Sequence, residues 1–299
     1  MTQIAINTRI ALKNVLFLTD FSEPSEAAMP FAAAIAKDYG ARLHVLHVLT
    51  PVIPETCVEA IHADQELANT EMAKLDSRLA GIAHDTEMAR GVGAWPAIEL
   101  AIREHGIDLI VLGTHGRTRA QKLFFGSFAE EVWRRSNVPV LTIGPHVRKE
   151  ASSSATFHSI LFATNFSKPC QAAAPFAVSL AEENNADLNL LYVAPKPGKS
   201  QQGEFAISDV KQRLKDVVPD DARNWCHASL IVRYGEATEG ILGVAAERGA
   251  DLIVLGVRNA AGHLGAATHL DRAIAHQVVT HARCPVLTVR QRETAVGAS

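Results

Sequence analysis

Short unbroken apolar runs alternate along the chain with longer stretches in which apolar positions recur every three or four residues. VLFLT (15–19) is followed by PSEAAMPFAAAIAKDYG (24–40) and then by ARLHVLHVL (41–49). A long mixed segment reaches about residue 84, and a weak strand pattern follows near TEMARGV (86–92). PAIELAIREHG (96–106) has helical spacing, DLIVLG (108–113) reads as a strand, SFAEEVWRRS (127–136) as a helix and VPVLTI (138–143) as a strand. Runs such as LIVL suit strands covered on both faces, which is the condition of a parallel sheet. Strands alternating with helices imply right-handed βαβ units and a doubly wound α/β fold. Gly40, Gly106 and Gly249 fall where helices should end. Pro30 and Pro175 each fall inside a helical pattern, where a proline removes a hydrogen bond.

The pattern occurs twice. VLFLTDFS (15–22) returns as ILFATNFS (160–167), so Asn165 stands for Asp20. Pro24, Ala27, Ala28, Pro30 and Phe31 return as Pro169, Ala172, Ala173, Pro175 and Phe176. DLIVLG recurs unchanged at 251–256, and NVPVLTI (137–143) recurs as RCPVLTV (283–289). Four blocks in the same order mean two related domains in tandem. Between them GPHVRKEASSSATFH (144–158) is polar, Ser-rich and aperiodic, as a linker should be. The boundary is placed near residue 151, giving domains 1–150 and 151–299.

Composition changes this picture little. The 299 residues fit two domains of ordinary size, and 47% hydrophobic with 20% charged residues is globular. A formal net charge of −3 argues against a general nucleic-acid or anionic-membrane surface. Cys57, Cys170, Cys226 and Cys284 are far apart and show no metal-binding spacing. They suit a reducing compartment. With no secretory h-region at the start and no run long enough for a membrane span, a cytoplasmic location is expected.

Candidate chemistry concentrates in GTHGRTRAQKLFFGSF (113–128). In a doubly wound sheet, ligands bind at the carboxyl ends of the strands near the switch point. Gly113 ends the strand DLIVL, Gly113 and Gly116 permit close backbone approach, and Gly126 precedes a helix. A helix N-terminus offers unpaired N–H groups and partial positive charge, and phosphate is its natural guest. Ser127 has two readings. With Glu130 it forms the capping box S-F-A-E. Alternatively its hydroxyl, with the N–H groups of Ser127 and Phe128, donates to phosphate oxygens. The spacing G-x2-G-x9-G-S is neither the P-loop nor G-x-G-x-x-G.

LTDFS, LHV and DLIVLGTHGR…GS…VPVLTI resemble the universal stress protein family, over essentially the whole chain and twice. The resemblance implies two tandem Rossmann-like, nucleotide-binding-type α/β domains. It implies a stress-response regulator that binds ATP, with or without Mg2+, through G-x2-G-x9-G-[S/T]. By position, Asp20 would meet the ribose and the backbone of Val48 the adenine edge. Gly113 would lie against the ribose, Gly116 near the phosphates, and Gly126, Ser127 and Phe128 around phosphate oxygens. On the residues alone, Asp20 is equally a turn carboxylate and Val48 a core residue. The resemblance also places the last strands, VPVLTI and CPVLTV, at a pairing edge. An intramolecular pseudo-dimer of the two domains is expected, and a homodimer is the commonest further step.

The second copy has lost the motif. Counting back from Pro285, which matches Pro139, Arg272 stands for Gly126, Ala273 for Ser127 and Asn259 for Gly116. Asp271 is a candidate cap for the helix instead, Gly262 and Gly265 can build a different turn, and this domain is expected not to bind ATP in the family manner. His263, His269, His276 and His281 have no metal-motif spacing. No nucleophile–base pair, GxSxG, HExxH or Walker lysine appears, so at most a slow ATPase is expected and no dedicated enzyme. The competing reading is a nucleotide-independent interaction scaffold.

Overall fold

A computed structural model of the protein describes residues 10–50, 58–114, 126–147, 156–196, 207–219, 228–258 and 266–290. The chain divides into two compact units, one built on Ala11–Pro145 and the other on Thr156–Ser299.

In the first unit, β1 (Asn14–Leu18), α1 (Glu23–Tyr39), β2 (Arg42–Leu49), α2 (Val58–Arg78), β3 (His84–Arg90), α3 (Trp95–His105), β4 (Leu109–Gly113), α4 (Ser127–Arg135) and β5 (Val140–Ile143) alternate as the pattern requires. The strands pair in parallel in the order β3-β2-β1-β4-β5. Val15, Phe17, Ile110 and Val111, on the two central strands, have no exposed surface. β3 pairs with β2 on one side and is largely polar, which is why its sequence signal is weak.

The second unit repeats the scheme: β6 (Ser159–Ala163), α5 (Lys168–Asn184), β7 (Asp187–Ala194), α6 (Ile207–Lys215), β8 (Ala228–Tyr234), α7 (Ala237–Glu247), β9 (Leu252–Val257), α8 (Ala266–His281) and β10 (Val286–Arg290). Its order is β8-β7-β6-β9-β10, again parallel. In both units the winding reverses between the first strand and the fourth, which opens a crevice above their carboxyl ends.

The repeated blocks have local causes. The Asp108 carboxylate accepts from the N–H groups of Lys13 (2.8 Å) and Asn14 (3.1 Å), fixing the start of β1. Asp251 does the same for His158 (2.7 Å) and Ser159 (3.1 Å). Gly40 and Gly106 end their helices in the left-handed conformation, and Asn185 (φ 49°) takes that place after α5. Among the described residues no helix is long and apolar enough to cross a membrane.

Candidate functional site

The crevice of the first unit is bordered by the turn after β1. Thr19 Oγ1 accepts from Phe21 N–H (3.0 Å), and Asp20 Oδ1 accepts from Ser22 N–H (3.0 Å) and from the Ser22 hydroxyl. Ser22 then caps α1. This double turn holds Phe21 in the left-handed region, at φ 58°. The Phe21 ring lies 4.6 Å from that of His47, whose Nδ1–H donates to the Thr19 carbonyl (2.7 Å). Asp20 therefore does serve the turn, while staying only half-buried at the end of a central strand.

Val48 sits where the register permits its expected role. β1 pairs with β2 as far as Leu18 opposite Leu46, and Thr19 N–H reaches the Leu46 carbonyl (3.1 Å). β2 runs on to Leu49, paired there with β3. In a parallel strand the backbone groups of alternate residues point to alternate neighbours. Leu46 points toward β1, so Val48 does too, at a level where β1 has already turned away. Its N–H and C=O face the crevice. The side chain is half-buried, as a strand-end core residue would also be.

Gly113 has a different reason to be glycine. A Cβ there would stand 2.4 Å from the Pro24 carbonyl oxygen and 3.0 Å from Ser25 N. The first turn of α1 occupies that space, so the residue is required by packing of α1 on β4. Gly256 is in the same position, 2.4 Å from Cys170 N. The first glycine of the motif thus survives in the second unit for a structural cause, and only the later ones are lost there.

The loop beyond leaves and returns at one point. Thr114, 1% exposed, donates its N–H to the Ile143 carbonyl (3.1 Å) and accepts from Gly126 N–H (2.7 Å). Gly116, with His115, Arg117 and Arg119, lies outside the described residues. The capping-box reading of Ser127 is corrected: Glu130 N–H bonds to the Gly126 carbonyl (2.9 Å), so Gly126 is the N-cap and Ser127 the first helical residue. A glycine cap has no side chain to accept from the first turn. The N–H groups of Ser127, Phe128 and Ala129 have no carbonyl one turn back in α4. Phe128 is 37% exposed at this end.

The second unit keeps the turn and loses the helix end. Thr164 Oγ1 accepts from Phe166 N–H (3.0 Å), Asn165 Oδ1 accepts from Ser167 N–H (3.0 Å), and Phe166 has φ 60°. Asparagine makes the turn as well as aspartate, without the charge. Phe166 stacks on Tyr192 at 5.3 Å, and Arg213 covers it at 3.9 Å. The candidate Asp271 cap is also corrected: α8 starts at Ala266, so Asp271 lies within the helix. Nothing in AATHLDR marks that start. Arg272 and Ala273 lie inside α8, where backbone N–H groups bond to carbonyls one turn back. The helix end that the first unit presents at Ser127 is absent at the matching place.

Sequence reasoning overlooked Thr114, which closes the loop, and the Thr19–His47 pair that fixes the turn. Thr19 and Thr164 recur in LTDFS and ATNFS, and that repetition was the available signal.

A parallel sheet wound 3-2-1-4-5 with helices between its strands defines a doubly wound, Rossmann-like α/β domain, and the chain holds two of them. The model of the universal stress protein family matches residues 11–144 and 156–290, and the chain belongs to that family. A universal stress protein of Synechocystis is 24% identical over 306 aligned residues, covering 93% of this chain and all of that protein. One of Methanocaldococcus jannaschii is 30% identical over 152 residues, 48% of this chain and 88% of that one. The crystal structure of a universal stress protein from Archaeoglobus fulgidus matches 95% of this chain and 98% of its own with a TM-score of 0.71, at 20% identity.

Proposed function

We propose that this protein is an adenine-nucleotide-binding regulator of the stress response, with ATP held by the first domain alone. The domains are taken as 1–150 and 151–299. The carrying observation is the contrast between the two helix starts. α4 opens on a bare glycine tied to the end of β4, whereas α8 runs unbroken across the matching positions.

On this reading the N–H groups of Ser127 and Phe128, with the positive end of α4, hold phosphate oxygens. Asp20 accepts from ribose hydroxyls, and the backbone of Val48 meets the adenine edge. Gly113 keeps the floor of the crevice low by letting α1 approach β4. Gly116 belongs to the phosphate loop by its place in the motif. The sequence carries no nucleophile–base motif, so the role on this reading is binding, with at most a slow hydrolysis of ATP. Bound nucleotide would stabilise the domain by RT ln(1 + [L]/Kd), about 2.7 kcal/mol at a hundredfold excess over Kd.

Mass spectrometry of small molecules released from the purified full-length chain tests this, with Gly126→Asp as the control. ATP or another adenine nucleotide from the wild type and none from the variant is the expected result. No nucleotide released, and no affinity for added ATP, would leave the interaction-only scaffold as the better reading.

A further inference from the structure

We propose that the second unit carries a separate site, at the N-terminal edge of its sheet, for a small zwitterion bearing one carboxylate and one amine, as a free amino acid does. A recess of about 400 Å³ lies there, lined by Ser159, Asp187, Asn189, Ala228, Ser229 and Arg248. That is at the small end of the roughly 300–1,000 Å³ of ligand pockets. Asp187 and Asn189 are two apart on β7 and share a face. Ser159 is in register with Asp187, and Ser229 with Asn189. Arg248 caps the end of α7.

The first unit is an internal control. By strand register and by the match of Gly106 to Gly249, the corresponding residues are Asn14, Arg42, His44, His84, Asp85 and His105. There the space is filled. His44 stacks on His105 at 4.4 Å and bonds to Asn14 Oδ1 at 3.1 Å, while Arg42 reaches both Asp85 oxygens at 3.0 Å. In the second unit five of the six side chains are smaller, and the closed cluster becomes an open one.

What remains has the composition of a binding site. Ser159 accepts from Asn189 Nδ2 (3.2 Å) and donates to the Arg248 carbonyl (3.2 Å), so it braces the floor. Asn189 is 3% exposed, and its carboxamide oxygen has no partner among the described residues. That oxygen is not sealed off by the protein; it opens onto the recess, where it can accept from a ligand donor. Asp187 and Arg248 line the same recess, and neither is ion-paired among the described residues, in contrast to Arg42 and Asp85. A phosphate ester would be repelled by Asp187, and a simple cation by Arg248. A ligand with both charges satisfies both, its carboxylate on the Arg248 fork and its amine on Asp187 and the Asn189 oxygen.

The test is ligand-observed NMR and thermal melting of the full-length protein with the standard L-amino acids, each at millimolar concentration. One or a few should bind and raise the melting temperature. Asp187→Asn and Arg248→Gln should each weaken binding about tenfold or more. The double variant Ala228→His, Ser229→Asp, which restores the first unit's residues, should abolish it. ATP should not compete. No binding by any amino acid, binding unchanged in both charge variants, or displacement by ATP would each overturn the proposal. None of these outcomes bears on whether the first unit holds a nucleotide.

Discussion

The backbone N–H of Gly126 donates to the Thr114 carbonyl across 2.7 Å, closing the glycine loop on itself. Thr114 is in turn held by its own N–H to Ile143, at the end of β5. The start of α4 is thereby set against the end of β4, and the Gly126 cap offers its first turn no side-chain acceptor. Gly126 has φ −60° and ψ 141°, a conformation open to any residue. Its lack of a side chain is thus not demanded by the backbone.

Gly126→Asp should separate stability from binding. An N-cap carboxylate accepts from the first-turn amides and complements the helix dipole, so the protein should gain a few tenths of a kcal/mol. The same carboxylate occupies the anion position, and ATP affinity should fall at least about tenfold, or 1.4 kcal/mol. Calorimetric titration and thermal melts on one preparation read both quantities. A variant that binds ATP as tightly as the wild type would remove the helix end from the site.

Gly113→Ala and Gly256→Ala should behave alike. Each new methyl meets backbone about 2.4 Å away, which must shift. Overpacking of this kind costs roughly 1–3 kcal/mol. Urea denaturation should show that loss for both, with or without ATP. A loss in Gly113→Ala alone would argue that the glycine answers to the ligand and not to α1.

The strands were legible because β1, β4, β6 and β9 are covered on both faces, and their sequences are correspondingly unbroken. The duplication was legible because DLIVLG carries both a core strand and the aspartate that anchors the first strand of its unit. What escaped depends on contacts distant in sequence. Nothing local to Gly113 announces that Pro24 lies against it, although its survival as Gly256 in the eroded copy was a clue. The start of α8 escaped because AATHLDR has no decisive cap. Ser127 and Glu130 did form a capping signature, and the helix begins one residue earlier.

Asp20→Asn should leave the turn intact, since Asn165 makes the same Ser N–H bond at 3.0 Å in the second unit. Stability should change by no more than about 0.5 kcal/mol. The loss falls on the nucleotide, because a hydroxyl bonded to a charged acceptor gains about 1.5–3 kcal/mol. Titration with ATP and with its 2′,3′-dideoxy analogue distinguishes the cases. The variant should lose affinity for ATP roughly tenfold or more and lose little for the dideoxy compound. Equal losses for both would place the Asp20 carboxylate away from the ribose.

Two histidines should give the first unit a stability maximum near pH 6.5, the ordinary imidazole value. Burial, and then the neighbouring His105 charge, push His44 below that value, with Asp85 opposing and Arg42 assisting. Its folded form binds protons less readily than the unfolded chain, so stability is complete above pH 6.5 and falls as pH drops through it. His84 runs the other way. Its hydrogen bond to the Ile82 carbonyl, and then Asp76, outweigh burial and raise it. That stabilisation is complete below pH 6.5 and fades as pH rises through the raised value. Melting temperatures between about pH 8 and 5.5, above the ordinary carboxylate range, should therefore rise and then fall. His44→Asn, which installs the second unit's residue, should remove the acid-side fall. His84→Gln should remove the rise and leave the fall. An unchanged profile in His44→Asn would show that the buried imidazole stack does not govern acid stability.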